Sequence, residues 1–597
     1  MCGICGVIGE NIKEQRVTEL LNTIAYRGPD DEGFYCEEKL FFGHRRLAIL
    51  DTTKFGHQPM WYKDYMIVFN GEIYNYLEIR AELKEIGHVF NTETDTEVIL
   101  HAYAEWNENM FKKLRGMWGM AIYDKKNKTV ILSRDRFGIK PLYYYYNQKV
   151  LIFSSDIRTI LKYGVEVKEN INMILKYLAV GIDNNGKDTF FKDIKQVPAS
   201  YNIKYKINRD LVLCKYYDLS KISKTNISSL EYEKELLLTI RQHLRSDVKI
   251  GTCLSGGLDS STLTAIVQNE LMYSKLLSFT AKSEDIKNDE IDFAKIVAKE
   301  NKIDWKIVYP RFSDFKKYHL EMLKNQVEPV GSPSIFMQFW MMKIAKENGV
   351  KVLLDGQGGD ETLLGYERYY ISYLIGLLKE RSFRDFIKNY FLISHNSKLN
   401  ILKLFKYLVY FSSDFFRKII LYKRLSFIKK ELLSIILEND NDYLKPKSDL
   451  RSLQVSELME YQLSHLLRYE DRNSMYFGIE ARVPFVDHIL VEKALNLDIK
   501  DKIFRGYTKY CLRIIAEKYL PKTIAWRKNK FGFEAPEKIW LTNFYVEMQK
   551  CINDSKIIKS LTVKVPDLKK LNFRLRWRLY NLAIWEKQYL ANKNKFI

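Results

Sequence analysis

Val17, Leu20, Leu21 and Ile24 recur at the i, i+3, i+4, i+7 spacing of one helix face, which predicts a helix over residues 14–25. Arg27-Gly28-Pro29-Asp30 ends it, because glycine and proline break the period. Short apolar runs at 39–42, 66–69, 119–123, 129–133 and 150–153 read as strands, with helical spacing over 72–86 and 95–106. Strands interleaved with a few helices predict a layered α+β domain. Further on the pattern becomes an alternation. A helix over 230–245 leads into a strand at 248–253, then strand 276–280, helix 289–300, strand 305–309, helix 333–347 and strand 350–354. Such alternation predicts a parallel sheet with helices on both faces. Residues 371–450 then run almost without glycine, rich in Lys, Arg, Phe, Tyr, Leu and Ile, as basic amphipathic helices.

Composition adds bounds. A chain of 597 residues exceeds one core, and 46% hydrophobic with 28% charged residues is ordinary for a globular protein. No uncharged apolar run reaches the roughly 18 residues of a membrane span, and the first residues lack a signal-peptide layout. Seven cysteines without metal-ligand spacing argue for reduced thiols and a cytoplasmic location. The net charge of +21 is spread over most of the chain among acidic residues, so no nucleic-acid partner is expected. For residues 371–450 the preferred reading is helices packed over the second domain with a solvated basic face; membrane-surface or partner binding is the functional alternative.

The candidate chemistry begins at Cys2. Removal of Met1 would leave a cysteine whose own α-amino group, with a pKa near about 8, can take the thiol proton. A substrate with an α-carboxylate, an α-ammonium and a carboxamide would further need a cation, carboxylates and fixed oxyanion donors. Arg46, Asn70, Gly71, Glu72 and Asp95 supply those groups at strand ends and a helix start. Taken singly, Asn70-Gly71 reads as a turn and Asp95 as a helix cap. A second centre lies at Leu254-Ser255-Gly256-Gly257-Leu258-Asp259-Ser260-Ser261, where an apolar strand enters a Ser/Gly turn and a helix starts at once. That places N–H groups and a positive helix end toward an anion, with Asp259 able to hold Mg²⁺. The loop Asp355-Gly356-Gln357-Gly358-Gly359-Asp360-Glu361 follows another strand at the same edge of the sheet.

Met1-Cys2-Gly3-Ile4, Arg27-Gly28-Pro29-Asp30, His44-Arg45-Arg46-Leu47, Phe69-Asn70-Gly71-Glu72-Ile73-Tyr74-Asn75 and Asp95-Thr96-Glu97 resemble, in this order, the glutaminase domain of glutamine-dependent asparagine synthetases. Residues 134–144 and 153–157 are similar to its closing segment, and the Ser255 loop resembles the pyrophosphate loop of ATP pyrophosphatases. The motifs return at 466–475, 480–488, 508–513 and 526–533. The resemblance implies an N-terminal αββα Ntn-hydrolase sandwich followed by a parallel-sheet ATP-pyrophosphatase domain with added helices. It divides the chain into a glutaminase domain at 2–200, a connector at 201–228, a synthetase core at 229–370, a basic helical insertion at 371–450 and a C-terminal helical part at 451–597.

By the same resemblance Cys2 attacks the glutamine amide, Arg46 holds the α-carboxylate, Asp95 and Glu72 hold the α-ammonium, and Asn70 with Gly71 hold the oxyanion. ATP and pyrophosphate fall to Leu254, Ser255, Gly256, Gly257, Asp259, Ser260, Ser261, Ala281, Asp355 and Gly356, Mg²⁺ to Asp259 and Asp360, and charge stabilisation to Lys509. Cys5 is read as a packed thiol. The implied reaction amidates aspartate through a β-aspartyl adenylate, releasing AMP, PPi and glutamate; the implied partners are small molecules, and a homodimer stays open. Asp355 and Gln357 depart from the family's usual Ser-Gly-Glu-Gly, which leaves a different carboxylate, such as a uronic acid or a peptide, as an alternative acceptor.

Overall fold

The computed structural model describes residues 2–184, 186–207, 209–270, 276–286, 289–439, 449–528 and 534–591. Two antiparallel six-stranded sheets form the first part. The first runs, in spatial order, Lys195–Gln196, Tyr143–Tyr146, Leu151–Ser154, Gly3–Ile8, Leu40–Arg46 and Asp31–Glu37. The second runs Leu211–Lys215, Tyr201–Lys206, Thr129–Arg134, Gly116–Asp124, Tyr65–Ile73 and Met60–Tyr62.

The Gly3–Ile8 strand explains the layering. Ile4 and Ile8 enter the core between the sheets with Met66, Val68 and Phe153. Cys5 and Val7 point the other way, onto Leu20, Leu21 and Ile24 of the Glu14–Thr23 helix. Both faces are covered, so the strand reads as an unbroken apolar run rather than an alternating one. Cys5 is a packed thiol whose burial pushes it up to about 12. Helices Tyr76–Glu85 and Asp95–Trp106 cover the outer face of the second sheet, completing an αββα sandwich.

Two boundaries differ from the sequence expectation. The helix expected from residue 72 begins at Tyr76, because the preceding strand continues through Ile73, with Gly71 opposite Trp118 and Glu72 opposite Met117. Pairing with a neighbouring strand here overrides helical spacing. Residues 201–215, expected in the connector, instead contribute two strands to the second sheet; Ile203 lies opposite Leu132 and is fully buried.

In the second part five parallel strands lie in the order Asp304–Val308, Leu277–Ala281, Ile250–Cys253, Val352–Leu354 and Glu480–Arg482. The chain moves outward one way from Ile250–Cys253, then returns to its other side. The gap between Ile250–Cys253 and Val352–Leu354 is therefore the point where strand order reverses, the place where open sheets of this kind bind ligands. The last long helix, Phe573–Tyr589, returns to the sandwich. Its Trp577 and Leu579 share one buried core with Val17, Tyr177 and Leu178. Residues 368–439 form the helices Arg368–Lys379, Phe383–Asn396, Ile401–Ser412, Asp414–Arg424 and Lys430–Asn439. Among the described residues no helix is long and apolar enough to cross a membrane.

Candidate active sites

Cys2 is buried just ahead of the Gly3–Ile8 strand. Its N–H donates to Asn70 Oδ1 at 3.0 Å, and its carbonyl accepts from Arg27 Nε at 3.2 Å. Ser155 Oγ accepts from Ile4 N at 3.1 Å and from Asn70 Nδ2 at 3.5 Å, so one hydroxyl fixes both the strand start and the Asn70 amide. Burial pushes the Cys2 thiol up; the chain's amino terminus, the Leu47 N–H and Arg46 oppose it.

The polar residues expected around glutamine converge here. Arg46, at the end of Leu40–Arg46, donates to the carbonyls of Leu50, Asp51 and Thr53, which orient its guanidinium. Gly71 admits no side chain, since a Cβ there would lie 2.1 Å from the Met117 carbonyl oxygen. Asp95 opens its helix one residue after the Thr94 cap and accepts from the Ile73 N–H at 2.9 Å. Burial raises Asp95 to about 6. Burial pushes Glu72 well up too, with Arg482 opposing and Asp95 reinforcing, and its Oε1 is buried without a hydrogen-bond partner. Glu72 and Asp95 are thus neighbouring buried acids, and one Glu72 oxygen has no hydrogen-bond partner.

Further contributors to this centre come from the other part of the chain or from motifs to which the sequence assigns no role. Arg27 Nη2 lies 2.9 Å from Asp471 Oδ2, and Lys140 Nζ lies 3.7 Å from the same carboxylate. Arg482 Nη2 lies 3.4 Å from Glu72, while its Nε binds Glu480 at 2.5 Å. The spacing Glu480-x-Arg482 on a strand puts both side chains on one face, a signal visible in the sequence. Asp471 and Ser155 lie inside the motifs at 466–475 and 153–157, which by themselves assign them no role in this centre.

At the sheet's reversal point Gly256 (φ +80°) turns the chain into the Leu258–Ala265 helix. Ser255 Oγ accepts from Gly257 N at 3.2 Å and lies 2.8 Å from Ser260 Oγ, which closes the turn. Gly359 presses on Asp259: a Cβ there would fall 2.6 Å from its carboxyl carbon. Lys509 Nζ lies 2.5 Å from both Asp259 Oδ2 and Asp360 Oδ1. Asp259 Oδ1 is buried without a hydrogen-bond partner, and this vacant oxygen beside Asp360 fits a divalent cation. Among the described residues no group of three or more His, Cys, Asp or Glu is arranged around a metal position.

A cavity of about 680 Å³ is lined by Leu254, Ser255, Gly257, Asp259, Ser260, Asp355, Gly356, Asp360 and Lys509, among others. Gly256, Ser261 and Ala281 do not line it. Ser261 is fully buried on the inner side of its helix, and Ala281 ends the next strand along. Asp355 is buried against Glu470; burial raises both, and Asp355 raises Glu470 further, which favours one proton kept on the pair. Asn396, Ser397 and Lys398, from the turn between two helices of the basic stretch, also line the cavity. Residues 529–533 of the motif at 526–533 lie outside the described residues.

A sandwich carrying Cys2 at a strand start, joined to a parallel-sheet site with a Ser/Gly turn, defines a glutamine-dependent amidotransferase coupled to a ligase. The glutamine amidotransferase domain family matches residues 1–217. The asparagine synthase family matches residues 231–585, and the chain belongs to it. Asparagine synthetase [glutamine-hydrolyzing] 1 of Bacillus subtilis is 27% identical over 99% of this chain and 98% of its own length. A putative asparagine synthetase [glutamine-hydrolyzing] 2 of Methanocaldococcus jannaschii is 34% identical over 64% of this chain and 78% of its own. Asparagine synthetase [glutamine-hydrolyzing] 3 of Bacillus subtilis is 28% identical over 88% and 86%.

Proposed function

We propose that the chain hydrolyses glutamine at Cys2 and uses the ammonia to amidate aspartate at the second site, with ATP converted to AMP and PPi. The observation that carries this reading is the convergence of Lys509, Asp259 and Asp360 within 2.5 Å contacts beside the Ser255–Ser260 turn, in a cavity large enough for a nucleotide and a small acid. In the first site Arg46 takes the substrate's α-carboxylate, and Asp95 with Glu72 its α-ammonium. The Cys2 thiolate attacks the amide carbon, Asn70 and Gly71 hold the oxyanion, and ammonia leaves. Water then releases glutamate from the γ-glutamyl thioester.

In the second site a β-carboxylate oxygen of aspartate attacks the α-phosphorus of ATP and PPi departs. The carboxylate needs this step because oxide is a poor leaving group and AMP a good one. Ammonia attacks the acyl carbon, giving asparagine and AMP. Leu254, Ser255, Gly257, Ser260 and Gly356 would hold nucleotide and pyrophosphate, and Lys509 would balance the charge that develops on the phosphates. Asp259 and Asp360 would hold Mg²⁺, which when bound supplies further neutralisation of the polyphosphate.

A second reading keeps this chemistry and changes the acceptor. It is favoured by Asn396, Ser397 and Lys398 lining the cavity, since these come from the basic stretch rather than the sheet loops. Purified protein incubated with glutamine, ATP-Mg²⁺ and aspartate should release glutamate, AMP, PPi and asparagine together. Glutamate release with no aspartate-dependent PPi would reject aspartate and turn the search to other carboxylates.

Glutamine capture should also depend on pH. Asp95 ionises at about 6 in the free site, and only its ionised form attracts an ammonium group. The glutaminase KM for glutamine should therefore rise as pH falls through 6, by about tenfold per unit where one ionisation governs binding. Asp95→Asn should raise KM throughout and flatten that dependence. A KM unchanged between pH 7 and pH 5 in the unaltered enzyme would contradict the assignment.

A further inference from the structure

We propose that the helices Phe383–Asn396, Ile401–Ser412 and Asp414–Arg424 form a surface that docks on an anionic lipid bilayer. Each helix has an inner apolar face that is used. Ile393, Leu399 and Leu404 join a core with Tyr369, Tyr370 and Leu374, and Leu421 and Leu425 join the core that runs under the sandwich. Each also carries a second apolar stripe facing outward.

On the first helix Phe383, Ile387 and Phe391 follow at i, i+4, i+8, and each is at least 56% exposed. On the second, Leu402, Phe405 and Val409 follow at i, i+3, i+7 and are exposed. On the third, Phe415, Ile419 and Tyr422 follow at i, i+4, i+7 and are exposed, Phe415 to 68%. Three successive helices with solvent-facing stripes exceed the scatter of single exposed apolar residues on an ordinary surface.

Charge selects the occupant. Between residues 383 and 424 the chain has nine Lys and Arg against two Asp. Arg384, Lys388, Lys403, Lys406 and Lys423 are exposed among the stripes. A second copy would bring two such cationic faces together, which repulsion disfavours. An anionic bilayer accepts both features, with aromatic and aliphatic side chains in the acyl boundary and lysines reaching the headgroups. The turn between the first two helices carries Asn396, Ser397 and Lys398 into the synthetase cavity, so the proposed surface and the cavity wall are continuous.

The test is co-sedimentation of the full chain with vesicles of equal phosphatidylglycerol and phosphatidylcholine, compared with phosphatidylcholine alone. Binding is expected with the anionic vesicles at low salt, and about tenfold or more weaker with neutral vesicles or at high salt. Replacing two surface cations, Lys403→Gln with Lys406→Gln, should lower partitioning about thirtyfold. Phe391→Ser with Phe405→Ser should lower it at least as much, with glutaminase activity unchanged as evidence of folding. No binding to anionic vesicles, equal binding to neutral ones, or binding unmoved by either pair would overturn the proposal. So would a lipid-free oligomer that both pairs of substitutions dissolve.

Discussion

Cys2→Ala is expected to abolish glutamine-dependent synthesis and glutamate release while ammonia-dependent synthesis continues at close to its original rate. The side chain removed is the nucleophile proposed for amide cleavage. Covalent catalysis has no substitute there, so glutaminase activity should fall by at least on the order of 10³-fold. The second site keeps its turn, its aspartates and Lys509, none of which touches Cys2. Measuring glutamate and PPi with either glutamine or ammonium chloride as nitrogen source separates the two. Loss of both activities in a protein of unchanged thermal stability would contradict two centres with divided labour.

The second large effect is expected at Lys509. Its ammonium lies 2.5 Å from each of two aspartates, in the left-handed backbone region (φ +52°) at the head of the Tyr510–Ala516 helix. Lys509→Met leaves Asp259 and Asp360 facing each other without a cation. Breaking such buried pairs typically costs about 3–5 kcal/mol, so a lower melting temperature is expected in the absence of ligands. Amide synthesis from either nitrogen source should fall by on the order of 10²-fold or more. Glutamate release at Cys2 should survive, the reverse of the first variant. If synthesis with ammonia persisted in Lys509→Met, the lysine would be structural and the assignment of the second site would fail. Lys509→Arg offers a finer measure: charge returns, but the planar fork cannot approach both carboxylates as a compact ammonium does.

The sequence made the local parts of both sites readable and left the distant ones dark. The Ser255–Ser261 turn, the Asn70-Gly71 strand end and the Asp95 helix start are short patterns whose neighbours in space are neighbours in the chain. The alternation of strands and helices after residue 229 also sufficed to place the nucleotide-type loop at a sheet edge. Ile73, Tyr76, Ile79 and Leu83 carry helical spacing into the strand at Glu72; pairing with Gly116–Asp124 overrides it. Arg27 with Asp471, 444 positions apart, and Glu72 with Arg482 have no periodic signature at all, since only the folded chain brings them together. The strands at 201–215 were hidden for the same reason. Alternating burial in Tyr201–Lys206 is clear once Thr129–Arg134 lies beside it, and weak without it.

The pairing of Arg27 with Asp471 and of Glu72 with Arg482 has a consequence for anyone wishing to dissect the chain. A fragment ending near residue 217 would lose the anion that holds Arg27 against the Cys2 carbonyl and the cation that balances Glu72. It would also lose Trp577 and Leu579 from the shared core. Such a fragment would be left with an unmatched guanidinium, an unmatched carboxyl and a bared apolar floor. The two parts are thus tied together by buried ion pairs and a shared core, and transplanting either onto another scaffold would require carrying its half of these contacts along.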